Sequence, residues 1–360
     1  MQAPTTKARP TGRRVLQALL SVAVIGLVFF YALPKFADFS SVGRALGRMT
    51  WVELVTLIAI AAWNQATYWL VMVSSLPGSN VWQAMKINQA STAVSNTLPG
   101  GSAVGTAVTY GMYSAYGFTR SEIALALVTA GLWNNFVKLS MPVLAVILIF
   151  LVGEPSTAQL GAAVAGIAFL VAVLGVGAAI LGSERAAIRI GDRAAKLAGP
   201  ARRLAKRSDA EGWGAGLGRF RSRSIDLLRR RGVALTLSTA LSHVSLYLVL
   251  LLALRHVGVS EAEVGWIEVL AAFAFIRLVS ALPITPGGLG VVELGLTAAL
   301  VAAGGAEAPV VAAVLVYRAL TYLPPIPIGL LAYLRWKSRS DARRERAEER
   351  RASLAKGPVS

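Results

Sequence analysis

Apolar residues in this chain fall into long blocks separated by short polar stretches. The run 15–33 is long enough to cross a bilayer, which takes about 20 residues. The runs 51–73, 123–151, 160–181, 233–254 and 309–334 meet the same length test, so about six transmembrane helices are predicted. Between them lie four shorter arms, 81–93, 102–115, 264–282 and 289–303, arranged in pairs around two breaks. The first break is Ser95-Asn96-Thr97-Leu98-Pro99-Gly100-Gly101-Ser102. The second is Leu282-Pro283-Ile284-Thr285-Pro286-Gly287-Gly288-Leu289-Gly290-Val291-Val292-Glu293. Proline removes a backbone donor and clashes with the preceding turn, while glycine loosens the backbone, so neither break continues as a helix. The arms around the first break, roughly 14 residues each, are too short to cross alone. A re-entrant hairpin is the simpler reading for both pairs. Pro99-Gly100-Gly101 and Pro286-Gly287-Gly288 match at an offset of 187 residues.

Composition supports the membrane reading. The 360 residues are 55% hydrophobic and 15% charged, with a mean hydropathy of +0.60. Cysteine is absent, which excludes disulfides and thiolate metal sites. The two histidines, His243 and His256, form no metal motif, and no cofactor is predicted. Gly212, Gly214, Gly216 and Gly218 alternate without the spacing or the preceding strand of a dinucleotide loop. A net charge of +18 could suggest nucleic acid. Its distribution points to topology instead. Residues 1–14, the loop around Arg120, the loop 183–231 and the tail 335–360 carry four, one, fourteen and nine basic residues, or 28 of 36. Positive charge gathers on the cytoplasmic side, so both termini are predicted inside. The run 15–33 is long for a signal peptide and lacks a convincing cleavage site after it, so it reads as an uncleaved span.

With this orientation the first hairpin opens to the cytoplasm and the second to the outside. The expected organisation is a basic N-terminus (1–14), a membrane domain (15–334) and a charged cytoplasmic tail (335–360). Within the membrane domain, repeats of about 51–181 and 233–334 flank the basic loop 183–231. Opposed hairpins are the mark of an inverted repeat, which places a substrate near the midplane between broken helices. The competing reading is two unrelated helix breaks kept for packing.

Candidate chemistry collects at the breaks and at charges inside apolar runs. Helix N-termini attract anions, and the second arms begin at Ser102 and Leu289. Thr97, Ser102, Thr106 and Thr285 could add hydroxyl donors, while Pro99, Gly100, Gly101, Pro286, Gly287 and Gly288 would let a ligand approach the backbone. Gly101 and Gly105 equally fit a small-residue helix contact. Intramembrane charges cost at least about 2.5–3.5 kcal/mol each, so their default reading is functional. Lys138, Arg277 and Arg318 are then candidates to hold a phosphate, with Glu293 orienting an arginine or exchanging a proton. A purely structural Glu293–Arg318 pair is the alternative. Asn64, Gln65, Asn134 and Asn135 could line the same cavity or bond between helices. His243 suits a hydrogen-bonded packing position better than a proton relay. In the loop 183–231, Ile190, Ala194, Leu197 and Ala198 share one helical face among Arg and Lys, as on a membrane-surface helix.

Three motifs carry a resemblance. They are Asn96-Thr97-Leu98-Pro99-Gly100-Gly101, then Pro283-x-Thr285-Pro286-Gly287-Gly288-Leu289-Gly290-x-x-Glu293, then Tyr317-Arg318 followed by Pro324. Together they resemble the flippase-like family named for the transmembrane region of lysylphosphatidylglycerol synthases. The likeness implies an all-α polytopic membrane protein that translocates an anionic phospholipid or a polyprenyl-linked sugar lipid in the cell membrane. The namesake synthases carry a soluble aminoacyl-transferase domain after the membrane region, whereas this sequence ends in a short charged tail. Lysyl transfer is therefore not predicted, and no acid–base pair suggests an enzyme. Membrane lipids with anionic headgroups are the expected partners, with no nucleic acid. A separate lipid-modifying enzyme is a further candidate partner, because an accessory subunit of a lipid synthase is one rival reading. A small-anion transporter is another.

Overall fold

Among the residues that the computed structural model describes, the chain is helical and has no strand. Those residues are 44, 47–98, 101–152, 168, 171–172, 175–177, 179, 181–204, 213–280 and 288–338. In order come α1 (Trp51–Ser75), α2 (Val81–Thr97), α3 (Gly101–Ala115), α4 (Arg120–Val152), α5 (Glu184–Leu204), α6 (Trp213–Val257), α7 (Trp266–Val279), α8 (Val291–Ala302) and α9 (Glu307–Tyr322). A tenth helix, α10, covers 325–338.

Helix starts follow local chemistry. Thr50 and Glu53 form a reciprocal cap on α1: Glu53 Oε2 accepts from Thr50 N at 2.7 Å, and Thr50 Oγ1 accepts from Glu53 N. Asn80 and Gln83 do the same for α2, and Thr119 and Glu122 for α4. Each cap satisfies donors that the first turn leaves open, which is worth about 1 kcal/mol.

Four helices are long and apolar enough to cross a membrane: Trp51–Ser75, Arg120–Val152, Phe220–Val257 and Glu307–Ser338. They correspond to the predicted runs 51–73, 123–151, 233–254 and 309–334. The remaining two predicted spans, 15–33 and most of 160–181, lie outside the described residues, as does the tail 339–360. The last span is not one continuous helix. It breaks at Leu323-Pro324, where proline cannot continue the ladder, and resumes at 325.

α6 is the central element. Leu246, Leu250 and Leu254 on it pack into one core with Leu57 of α1, Met141 of α4, Phe273 of α7, Leu296 of α8 and Val314 of α9. A second core joins α2, α3 and the start of α4 through Ile87, Met112 and Ile123, with Trp336 of α10 against it.

Helix ends gather at two faces. At one, Arg48, His256 and Glu307 line a common recess. At the other, Ser75, Thr119 and Arg231 line a second. α1 runs from the first face to the second, and α6 runs back. α2 and α3 are joined by only three residues, and α2 begins close after Ser75 while α3 ends close before Thr119. α7 starts beside the end of α6: Arg255 donates to the carbonyls of Val259 (3.0 Å) and Val264 (2.9 Å) and pairs with Glu261. Glu261 in turn accepts from Trp266 N at 2.9 Å. Those contacts hold the Glu261 carboxyl below the ordinary carboxylate range, the Trp266 amide contributing most and Arg255 after it.

One expectation is corrected here. The sequence predicts 183–231 as a polar loop with a helical first half, whereas its second half from Trp213 is helical as well. α5 fills its first half, and α6 begins at Trp213, well before the apolar run. The helical face expected in the first half belongs to α5. It packs along α6, with Ala187 fully buried and Ile188 facing Gly218.

Candidate functional site

Inside the bundle is a polar cavity of about 330 Å³. Asn64, Gln65 and Tyr68 of α1 line one side, and Asn88, Thr92 and Asn96 of α2 another. Lys138 comes from α4, Arg277 and Ser280 from the end of α7, and Tyr317, Arg318, Thr321 and Tyr322 from α9. The α2 contribution is regular. Its three residues recur every four positions, so they share one helix face.

Arg318 has a partner. Its Nε donates to Glu293 Oε1 at 2.6 Å, and the two side chains are 14% and 9% exposed. Glu293 Oε2 also accepts from Gly290 N at 2.7 Å, so the carboxylate closes the first turn of α8 and holds the arginine together. The Arg318 guanidinium lies 4.6 Å from the centre of the Tyr322 ring, a cation–π contact. Tyr322 in turn donates its hydroxyl to Asn96 O at 2.5 Å, and Asn96 Nδ2 donates back to Tyr322 O at 3.4 Å. One network thus ties α8, α9 and the end of α2.

Lys138 and Arg277 differ. Among the described residues no carboxylate pairs with either. Both are half-buried, and Arg277 Nε is buried with no hydrogen-bond partner there. Two cations thus face a cavity whose described lining offers them amide and hydroxyl groups and no carboxylate.

Other predicted residues take different places. Pro99, Gly100, Thr285, Pro286 and Gly287 lie outside the described residues. Thr97 ends α2, buried, and donates its hydroxyl to Ala93 O at 2.8 Å, a bond within its own helix. α3 starts at Gly101 and α8 at Val291, not at Ser102 and Leu289. Ser102 and Thr106 are exposed, and Thr106 bonds to Ser102 O. Among the described residues, none of α3 lines the cavity. Gly101 and Gly105 serve close packing: a Cβ would come within 2.7 Å of Val94 O and Ser91 O respectively. Gly288 has φ +71°, where an L side chain is strained, and a Cβ would press on Val292 at 3.0 Å.

Asn64 lines the cavity and also bonds between helices, donating to Ser242 O (2.9 Å) and Ser245 Oγ (2.8 Å). Asn134 and Asn135 are absent from its described lining. His243 is 1% exposed, with Nδ1 donating to Thr239 O at 3.0 Å and Nε2 without a partner among the described residues. Sequence reasoning missed Tyr68, Asn88, Thr92, Tyr317, Thr321 and Tyr322 as lining residues. The polar stripe on α2 was the available signal.

Long apolar helices around a polar cavity lined by Lys138, Arg277 and Arg318 define a multi-pass membrane protein. The chain belongs to the family described as the lysylphosphatidylglycerol synthase TM region, whose model matches residues 18–329. No curated protein matches it.

Proposed function

We propose that this protein moves an anionic phospholipid or a polyprenyl-linked sugar lipid across the cytoplasmic membrane. The headgroup passes through the polar cavity while the hydrocarbon tails stay in the bilayer. In this reading α2–α3 and α7–α8 are re-entrant hairpins entering from opposite leaflets, related as an inverted repeat, and both termini are cytoplasmic. The helix lengths favour it: α7 and α8 have 14 and 12 residues, below the about 20 of a full span. α2 and α3 leave toward the face opposite to that of α7 and α8. Family membership supports the link to lipid synthesis and movement.

The observation that carries the proposal is the pair Lys138 and Arg277. A charge inside a bilayer is costly unless something compensates it. An anionic headgroup would supply the missing counter-charge, and the surrounding amides and hydroxyls would hold its remaining polar atoms. Arg318, already paired with Glu293, shapes the wall and shares its field with the ligand. No nucleotide-binding motif occurs in the sequence, and any energy source in this reading is a gradient, a coupled reaction, or none.

The test is a leaflet-accessibility assay in proteoliposomes with fluorescent phosphatidylglycerol, fluorescent phosphatidylcholine and a labelled polyprenyl phosphate. Wild type should expose inner-leaflet anionic lipid, and Arg277→Gln should slow this by about tenfold or more, one charge-assisted contact being lost. Flux of inorganic phosphate without lipid movement would replace the proposal by small-anion transport. No movement of any kind would leave an accessory membrane subunit.

A further inference from the structure

A second charged pocket, of about 570 Å³, lies at the face where α1 ends, α4 begins and α6 enters the bundle. It shares no lining residue with the central cavity. Arg223, Leu227, Arg230 and Arg231 project into it from α6, and their spacing of four, seven and eight residues puts them on one helix face. Ser121 of α4 stands opposite.

Two carboxylates also line the pocket, Glu122 and Asp226. Glu122 Oε2 accepts from Thr119 N at 2.8 Å and from Thr119 Oγ1 at 2.7 Å, neutral donors that leave its charge in place. Asp226 is exposed. Neither lies within 4.0 Å of a guanidinium nitrogen, and among the described residues the three arginines have no ion pair. Three exposed arginines therefore share a recess with two carboxylates, an excess of one positive charge, and no arginine is paired with either acid.

Depth selects the ligand. The apolar part of α6 resumes at Val233, two residues beyond Arg231. Val233 and Leu237 are 76% and 64% exposed, as lipid-facing side chains are. On α1 the apolar run ends just before Ser75. The arginines therefore sit where hydrocarbon gives way to headgroups, the depth of lipid phosphates. Basic recesses between membrane helices at this level suit anionic headgroups.

We propose that this pocket binds the phosphate of an anionic phospholipid, as a lipid site separate from the central cavity and independent of what that cavity carries. The two oxygens of the phosphodiester meet the guanidinium groups of Arg230 and Arg223, and the acyl chains run along Val233 and Leu237 of α6.

The experiment is native mass spectrometry of the full chain, in an Arg277→Gln background that removes a central-cavity cation. Detergent micelles are doped in turn with phosphatidylglycerol, phosphatidylcholine and inorganic phosphate. Retention of phosphatidylglycerol over phosphatidylcholine is expected. Combined Arg223→Gln, Arg230→Gln and Arg231→Gln should weaken it about tenfold or more. A matched set, Arg185→Gln, Arg193→Gln and Arg229→Gln, removes the same charge outside the pocket and should change it less than about twofold. If the triple pocket variant does not fold, Arg230→Gln alone should still cost about threefold. Equal losses in both sets would mean diffuse surface charge and overturn the proposal. Equal retention of both lipids, or binding of inorganic phosphate without preference for the acidic lipid, would overturn it as well.

Discussion

Arg318 and Arg277 are both arginines in an apolar bundle, yet their surroundings give them different work. Arg318 is bonded to Glu293 in a largely buried pair. Removing one partner strands the other, at a cost of roughly 3–5 kcal/mol. Glu293→Ala and Arg318→Ala are therefore both expected to lower the thermal midpoint clearly in detergent. Arg277, which has no carboxylate partner among the described residues, should tolerate Gln with little change in that midpoint while lipid movement falls. A midpoint loss in Arg277→Gln as large as in Glu293→Ala would make Arg277 a structural residue. Packing glycines offer a second contrast. A Cβ at Gly105 would meet Ser91 O at 2.7 Å, whereas one at Gly131 would meet nothing within 4 Å. Gly105→Ala should cost about 1–3 kcal/mol by forcing α2 and α3 apart. Gly131→Ala should be neutral or slightly stabilising by helix propensity, and thermal unfolding of the two variants side by side checks it.

Among the described connections, the turn from α6 to α7 is heavily bonded. Arg255 collects carbonyls from Val259, Ser260 and Val264 together with the Glu261 carboxylate. Arg255→Ala should raise hydrogen exchange across 258–265, with α1 unaffected. The same turn carries a pH dependence. Glu261 is held below its ordinary value of 4.5. A lowered native pKa stabilises the fold above the unfolded value, and that stabilisation is lost as pH falls through the native one. Exchange at 258–265, corrected for its intrinsic pH dependence, should therefore rise on acidification below about 4.5, and not on moving from pH 6 to 8. The long basic stretch was harder to read as an element. Arg, Lys, Leu and Ala are all good helix formers, but a polar segment gives no sign of whether it will find a partner. α5 did, on the extended first half of α6.

For the molecule as a whole, orientation is directly testable because the sequence contains no cysteine. Ala262→Cys and Ser338→Cys lie at exposed positions that should face opposite sides. An impermeant thiol reagent added to intact cells should label the first and spare the second, and the reverse pattern would invert the assigned topology. Residues alone determined that the chain is a multi-pass helical membrane protein, where its apolar blocks run, that prolines and glycines separate α2 from α3 and α7 from α8, and which charges fall within apolar runs. Each of these depends on local composition or on the cost of moving a side chain out of water, which a single sequence contains. Only tertiary structure decided that Lys138, Arg277 and Arg318 surround one cavity, that Glu293 is committed to Arg318, and that Asn88, Thr92 and Asn96 form its opposite wall. Those outcomes depend on how α2, α4, α7 and α9 pack, and helices distant in sequence meet through shape and burial that no local pattern records.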